Sequence, residues 1–311
     1  MASFVVARLQ VRALAFAAEV GAGKVPAMAS PGFVQRLRAR RGGSQDTGVA
    51  GEREAPSTST RSPDSQWFWD HYDMAADQIL ETFGAEGLSL TDKVVADIGC
   101  GDGIMDLGVL HKARPRELVG FDLNPTDTEY LARRAREESV SDSGWDGLRF
   151  EVSGPGGVPA PDGTFDFVFS WSAFEHIEQP IPVLREIHRI LNPNSAFFLQ
   201  LWPFYFSAKG SHLWEWLPED HHHLQRAESE IAEQVLASDR KPPDWTQMMV
   251  HEFKHLNRIT VDELQRSMLA AGFVVRRLEL LASPTRLTPE LGRYSWLDLG
   301  VSGIKLIATP A

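Results

Sequence analysis

The chain has 311 residues, long enough for one large domain or two small ones with a substantial core. With 43% apolar and 23% charged residues and no apolar run near the roughly 20 residues of a membrane span, it reads as soluble, cytoplasmic and free of membrane contact. Cys100 is its single cysteine, which excludes a disulfide framework, and the net charge of −11 argues against nucleic acid as a partner.

Residues 1–63 differ from the rest. They hold nine Lys/Arg and four Asp/Glu, against 22 and 38 in the remainder, so a basic tail precedes an acidic body. From 42 to 63 ("GGSQDTGVAGEREAPSTSTRSP") almost nothing could be buried, which predicts a disordered linker. The first 41 residues, with Glu19 as their lone acid, resemble an organellar transit peptide. The plainer reading is a dispensable tail or an over-extended start, with Met28 as an internal alternative.

Helical spacing begins at residues 67–83, where Trp69, Tyr72, Ala76, Ile79, Leu80 and Phe83 share a face. Strands and helices then alternate. A strand at 93–98 leads to a helix from 103, and a strand at 117–121 precedes a helix through "TEYLARRAREE". Strands at 148–152 and 165–170 precede the helix "VLREIHRIL", and a fifth strand spans about 195–202. This order implies an α/β fold with a parallel, doubly wound sheet. Further on, Thr260 and Glu263 form a capping box for "VDELQRSMLAA", which Gly272 stops. "FVVRRLELL" and "GIKLIATP" follow with no helix expected between them, as an antiparallel hairpin at the sheet edge.

The first strand ends in "VVADIGCGDG", residues 94–103. Glycine weakens a strand, so Gly99, Gly101 and Gly103 at alternate positions imply close approach to the backbone. A strand running through a glycine loop into a helix is where open α/β sheets bind ligands. The spacing is neither that of dinucleotide enzymes nor that of a P-loop. The second strand ends at Asp122, placed either to accept hydrogen bonds from ribose hydroxyls or to cap the helix at 126–138.

Together with "LVGFDLN" and "PDGTFDFVFSWSAFEHIEQPIPVLREIHRILNPNSAFFLQ", this stretch resembles the class I S-adenosylmethionine-dependent methyltransferases over residues 67–308. The resemblance implies a Rossmann-like sheet of about seven strands closed by an antiparallel hairpin, with S-adenosylmethionine as cofactor. It places Asp97, Gly99 and Gly101 around the methionine part, Asp122 at the ribose, and Ser170 and Trp171 facing the methyl group. Cys100, Leu123 and Gly154 complete the implied cofactor set. The family usually has an acid on the adenine amino group; here that position is Gly154, and the nearest carboxylate is Glu151.

Methyl transfer needs alignment more than a catalytic group. His176, in "SAFEHIEQP", is the candidate base, with structural packing as the alternative. An insertion at about 202–258, read as a cap on a 64–311 domain, holds Trp202, Phe204, Tyr205, Phe206, Trp214 and Trp216 beside His212 and the run His221–His223. Trp202, Tyr205, His212, Trp214 and Trp216 are expected to line the site of a small-molecule acceptor that is methylated on oxygen or nitrogen, unless they form the core of a small helical cap. "HEFKH" at 251–255 matches a zinc-protease pattern, but Lys254 sits within it, and among ten histidines the match is cheap, so no metal is expected. The competing function is a non-catalytic subunit that kept the fold. The oligomeric state has no signal in the sequence.

Overall fold

A computed structural model describes residues 61–311 apart from Ser143 and Gly156. The tail expected at 1–63 therefore lies outside the described residues up to position 60. Helix α1 (Pro63–Trp69) starts on Ser62, whose side chain accepts from the Ser65 N–H, and passes through a π-helical turn, Asp70–Ala75, into α2 (Ala76–Ala85). Helical structure thus begins four residues before the expected 67.

Strand β1 (Val94–Ile98) is buried along its whole length, as a central parallel strand must be. After it come α3 (Ile104–Ala113), β2 (Glu117–Asp122), α4 (Thr128–Glu137), β3 (Leu148–Val152), β4 (Phe165–Trp171), α5 (Pro180–Ile190) and β5 (Leu191–Leu201). Three helices follow, α6 (His222–Gln225), α7 (Glu228–Leu236) and α8 (Pro243–His255), then α9 (Val261–Ala270) and β6 (Phe273–Ala282). A five-residue helix, α10 (Trp296–Gly300), precedes β7 (Val301–Pro310). That helix corrects the expected bare hairpin: the connection from 283 to 300 is too long for a turn and carries its own apolar anchors, Leu291 and Leu299.

The seven-stranded sheet has the order β3-β2-β1-β4-β5-β7-β6. β1 to β5 run parallel, whereas β7 lies antiparallel to both β5 and β6. Strand alternation divides two cores. Phe197 and Leu199 join Leu184, Ile187 and Ile190 of α5 and Leu264 and Met268 of α9 on one face. Ala196 and Phe198 join Phe83 of α2, Leu107 of α3 and Leu131 of α4 on the other. Phe83 meets Phe167 edge-on at 5.2 Å, and burying a side chain of that size contributes about 1.5–3 kcal/mol. A third core, built by Tyr205, Leu213, Trp216, Leu224, Ile231, Val235 and Phe253, holds the segment between β5 and α9 together.

Candidate functional site

The glycine loop turns directly off β1. Gly99, Gly101 and Gly103 all have positive φ (87°, 55° and 76°), and each has a different neighbour. A Cβ on Gly99 would lie 2.3 Å from the Ala173 Cβ, and one on Gly103 would lie 2.6 Å from the Phe150 ring; at Gly101 nothing stands within 4 Å. Gly99 and Gly103 therefore serve packing, and Gly101 is the glycine that opens outward. Asp122 accepts the Gly101 N–H at 3.1 Å on one carboxylate oxygen and the Asn124 N–H at 3.0 Å on the other. The helix-cap alternative for Asp122 fails, because Asp127 caps α4 through the Tyr130 N–H at 2.8 Å. Leu123 and Val152, at the ends of β2 and β3, are 59% and 54% exposed, an apolar shelf beside that carboxylate. Gly154 gives its N–H to the Gly157 carbonyl (2.9 Å), and Glu151 is ion-paired with Arg149, so no free carboxylate stands at the expected adenine position.

Loop, carboxylate and shelf suit a nucleoside with a polar tail, as S-adenosylmethionine has. Asp97 and Cys100 lie behind this surface. Asp97 is fully buried, and its carboxyl is within hydrogen-bonding reach of the equally buried Asp106. Neither has another partner among the described residues. Burial first, and then the neighbouring acids, push both well above the ordinary carboxylate range. Burial and mutual repulsion therefore oppose ionisation of the pair. Burial also pushes the Cys100 thiol up, so it remains protonated, and its side chain packs on Gly120.

At the end of β4 the structure departs from expectation. The Ser170 hydroxyl donates to the Ile98 carbonyl at 2.8 Å, and Trp171 is buried against Phe198, so both side chains belong to the core. The exposed turn starts one residue later. Ser172, with φ 46°, donates from its N–H and its hydroxyl to Gln200 Oε1. Ala173 then packs on Gly99, which brings the Phe174–His176 turn beside the glycine loop.

Four titratable groups converge there. Glu175 is buried and both its oxygens lack a partner; burial pushes its carboxyl up to about 7. His176 Nδ1 lies 2.8 Å from Glu252 Oε2. Burial alone would lower this imidazole, but Glu252 and Glu175 outweigh it and hold it above its ordinary value. The His212 ring stands 5.2 Å from that of His176, and burial, then the charge of His176, lower it to about 3.

Trp214 lies 6.0 Å from His212 and 6.2 Å from Trp202, and both tryptophans are partly exposed. Tyr205 and Trp216, expected beside them, are buried in the third core. The histidine run also turns inward: His222 pairs with the Glu219 carbonyl and His223 with that of Tyr205. In "HEFKH", His251 and His255 stack 4.1 Å apart on the exposed side of α8, while Glu252 pairs with His176. Sequence reading missed Glu175, Glu252 and Asn257. Asn257 donates to the Phe174 and Ile177 carbonyls (2.6 and 2.9 Å) and, from its backbone, to that of Glu175 (2.8 Å).

The profile of a methyltransferase-domain family matches residues 68–278. Over 112 residues the chain is 30% identical to the tRNA U34 carboxymethyltransferase of Campylobacter fetus, covering 36% of this chain and 37% of that one. Over 121 residues it is 31% identical to the erythromycin 3''-O-methyltransferase of Saccharopolyspora erythraea, covering 39% and 37%. A 205-residue match at 28% identity, to the malonyl-[acyl-carrier protein] O-methyltransferase of Halorhodospira halophila, covers 64% and 54%. The chain thus spans from about a third to about half the length of these relatives. With the family profile running from α1 into β6 and the seven-stranded order around the glycine loop, the chain belongs to the methyltransferase-domain family.

Proposed function

We propose that the protein methylates a small molecule on oxygen or nitrogen, at the edge between the glycine loop and the segment following β5. The observation that carries this reading is the partly exposed Trp202–Trp214 pair, which reaches through His212 to His176 beside that loop. Two flat indoles offer a small acceptor apolar contact area, with polar groups a few ångströms away to fix its orientation. Trp202 is seated by Gly303 of β7, where a Cβ would stand 2.8 Å from the indole.

S-adenosylmethionine supplies a methyl group on a sulfonium, and alignment of acceptor and donor is worth about 7–11 kcal/mol. The chain's own share is positioning. Asp122 and the loop hold the cofactor, Leu123 and Val152 face its base, and the tryptophans hold the acceptor against the Phe174–His176 turn. Among its relatives, three are named as O-methyltransferases and five as tRNA U34 carboxymethyltransferases. The acidic body favours the former, since RNA binding rests on neutralised phosphates.

The test is transfer from labelled S-adenosylmethionine into a small-molecule panel and into bulk tRNA. The expected outcome is label in the small-molecule fraction, with Trp214→Ala raising the acceptor KM and leaving cofactor affinity unchanged. Label found in RNA alone, at a rate falling steeply with salt, would sink the reading.

A further inference from the structure

Glu175 is 2% exposed and His212 9%, yet both Glu175 oxygens and His212 Nε2 have no hydrogen-bond partner among the described residues. Buried polar groups are normally hydrogen-bonded, and buried charges are paired or bind metal. Glu175 and His212 lie together with His176 in one cluster, and such groups call for a common partner.

We propose that Glu175, His176 and His212 bind one divalent transition-metal ion of the zinc class. Among the described residues these three form the His/Cys/Asp/Glu group whose ligand atoms all lie within 4.8 Å of one another. Tetrahedral zinc, with bonds of about 2.0–2.2 Å, holds its ligand atoms about 3.3–3.6 Å apart, so side-chain rotations that draw the three in by about an ångström close the group on an ion. Two imidazoles and one carboxylate favour transition ions over magnesium or calcium, which take oxygen shells. The same set leaves a coordination position open, as in catalytic zinc sites.

The surroundings are those of a built site. Two of the three ligands are held from behind: His176 by Glu252, and the turn carrying Glu175 by Asn257. Supports of this kind set ring orientation in metal centres. His176 then acts as a ligand and not as a base. "HEFKH" contributes its glutamate as a support for His176, while its two histidines stay on the surface.

The inference stands apart from the choice of acceptor, because its test reads the ion and not methyl transfer. The full chain, stripped of metal, is titrated with zinc by calorimetry and with cobalt by visible absorption. One equivalent of zinc is expected, with intense cobalt bands that zinc displaces. Both signals should survive in the double variant His251→Ala/His255→Ala, which removes the surface pair. Both should weaken at least about tenfold in Glu175→Gln and His212→Ala, with the fold checked by circular dichroism and cofactor binding. If His212→Ala does not fold, the near-isosteric Glu175→Gln and His176→Gln decide. The proposal is overturned if the folded wild-type chain binds no ion, if Glu175→Gln binds as wild type does, or if binding follows His251 and His255.

Discussion

At the scale of single residues, Asp97 and Asp106 are the least comfortable groups in the molecule. Both carboxyls are raised by burial and by nearby acids, so the sign of their effect on stability follows. Below the unfolded value of 3.8 both states are protonated and nothing is lost. Above it the unfolded chain ionises and the folded chain resists, so stability falls as pH rises towards the raised folded values. Asp106→Asn replaces one acid with an amide that can donate to Asp97. It should stabilise the protein at pH 7 by about 1–3 kcal/mol, the cost of one unsatisfied buried polar group. The gain should shrink as pH falls towards 4, and thermal melts across that range check it. A lower Tm at pH 7 would show that the pair supports the fold. Asp122 is the opposite case, a satisfied surface carboxylate. Asp122→Ala removes the acceptor for the Gly101 and Asn124 N–H groups as well as the ribose contact proposed for it. Calorimetry should show cofactor affinity lower by at least about tenfold, since hydrogen bonds to a charged acceptor contribute about 1.5–3 kcal/mol each.

Among the elements, the contact between α3 and the N-terminal helices is the most sharply drawn. Gly108 sits in mid-helix, where alanine would ordinarily gain about 1 kcal/mol. Here a Cβ would lie 2.1 Å from the Tyr72 carbonyl oxygen, which is backbone and cannot swing away. Gly108→Ala should therefore destabilise by about 1–3 kcal/mol as α3 is forced off the 70–75 turn. A raised urea midpoint would show that the turn yields freely. Such contacts mark the limit of what the sequence discloses. The parallel strands and their helices were legible because burial imposes periods of two and 3.6 on the chain. The glycine loop was legible because its spacing is local. The split between Trp202 and Trp214 at the surface and Tyr205 and Trp216 in the core was not, since the segment after β5 follows no single period. Nor was the pairing of Glu252 with His176, 76 positions apart, because such contacts are set by packing alone. Helix α10 escaped notice as five residues with only Leu299 and Asp298 buried.

Across the whole molecule, the segment after β5 and the sheet meet at one residue of consequence. Asn257 lies just past α8, yet its amide and backbone grip three carbonyls of the turn that follows β4. It thereby fixes where Glu175 and His176 stand relative to Gly99, because Ala173 at the start of the turn is locked against that glycine. The third core buries Phe253 and Leu256 just before Asn257, which thereby transmits the position of α8 to the sheet edge. Removing the amide leaves the Ile177 carbonyl without its donor and the Phe174 carbonyl with the Ile177 N–H alone, at about 1–3 kcal/mol, and frees the turn to shift. A misplacement of about 1 Å at a reacting centre can cost on the order of a hundredfold in rate. Asn257→Ala should therefore lower kcat for methyl transfer by at least about tenfold and Tm by a few degrees, while S-adenosylmethionine affinity, which rests on Asp122 and the glycine loop, stays within about twofold. Parallel measurement of kcat, Tm and cofactor Kd separates the alternatives. A fall in Tm with kcat unchanged would make Asn257 a packing residue only, and equal losses in kcat and cofactor affinity would place the sheet edge and the cofactor loop in a single rigid unit.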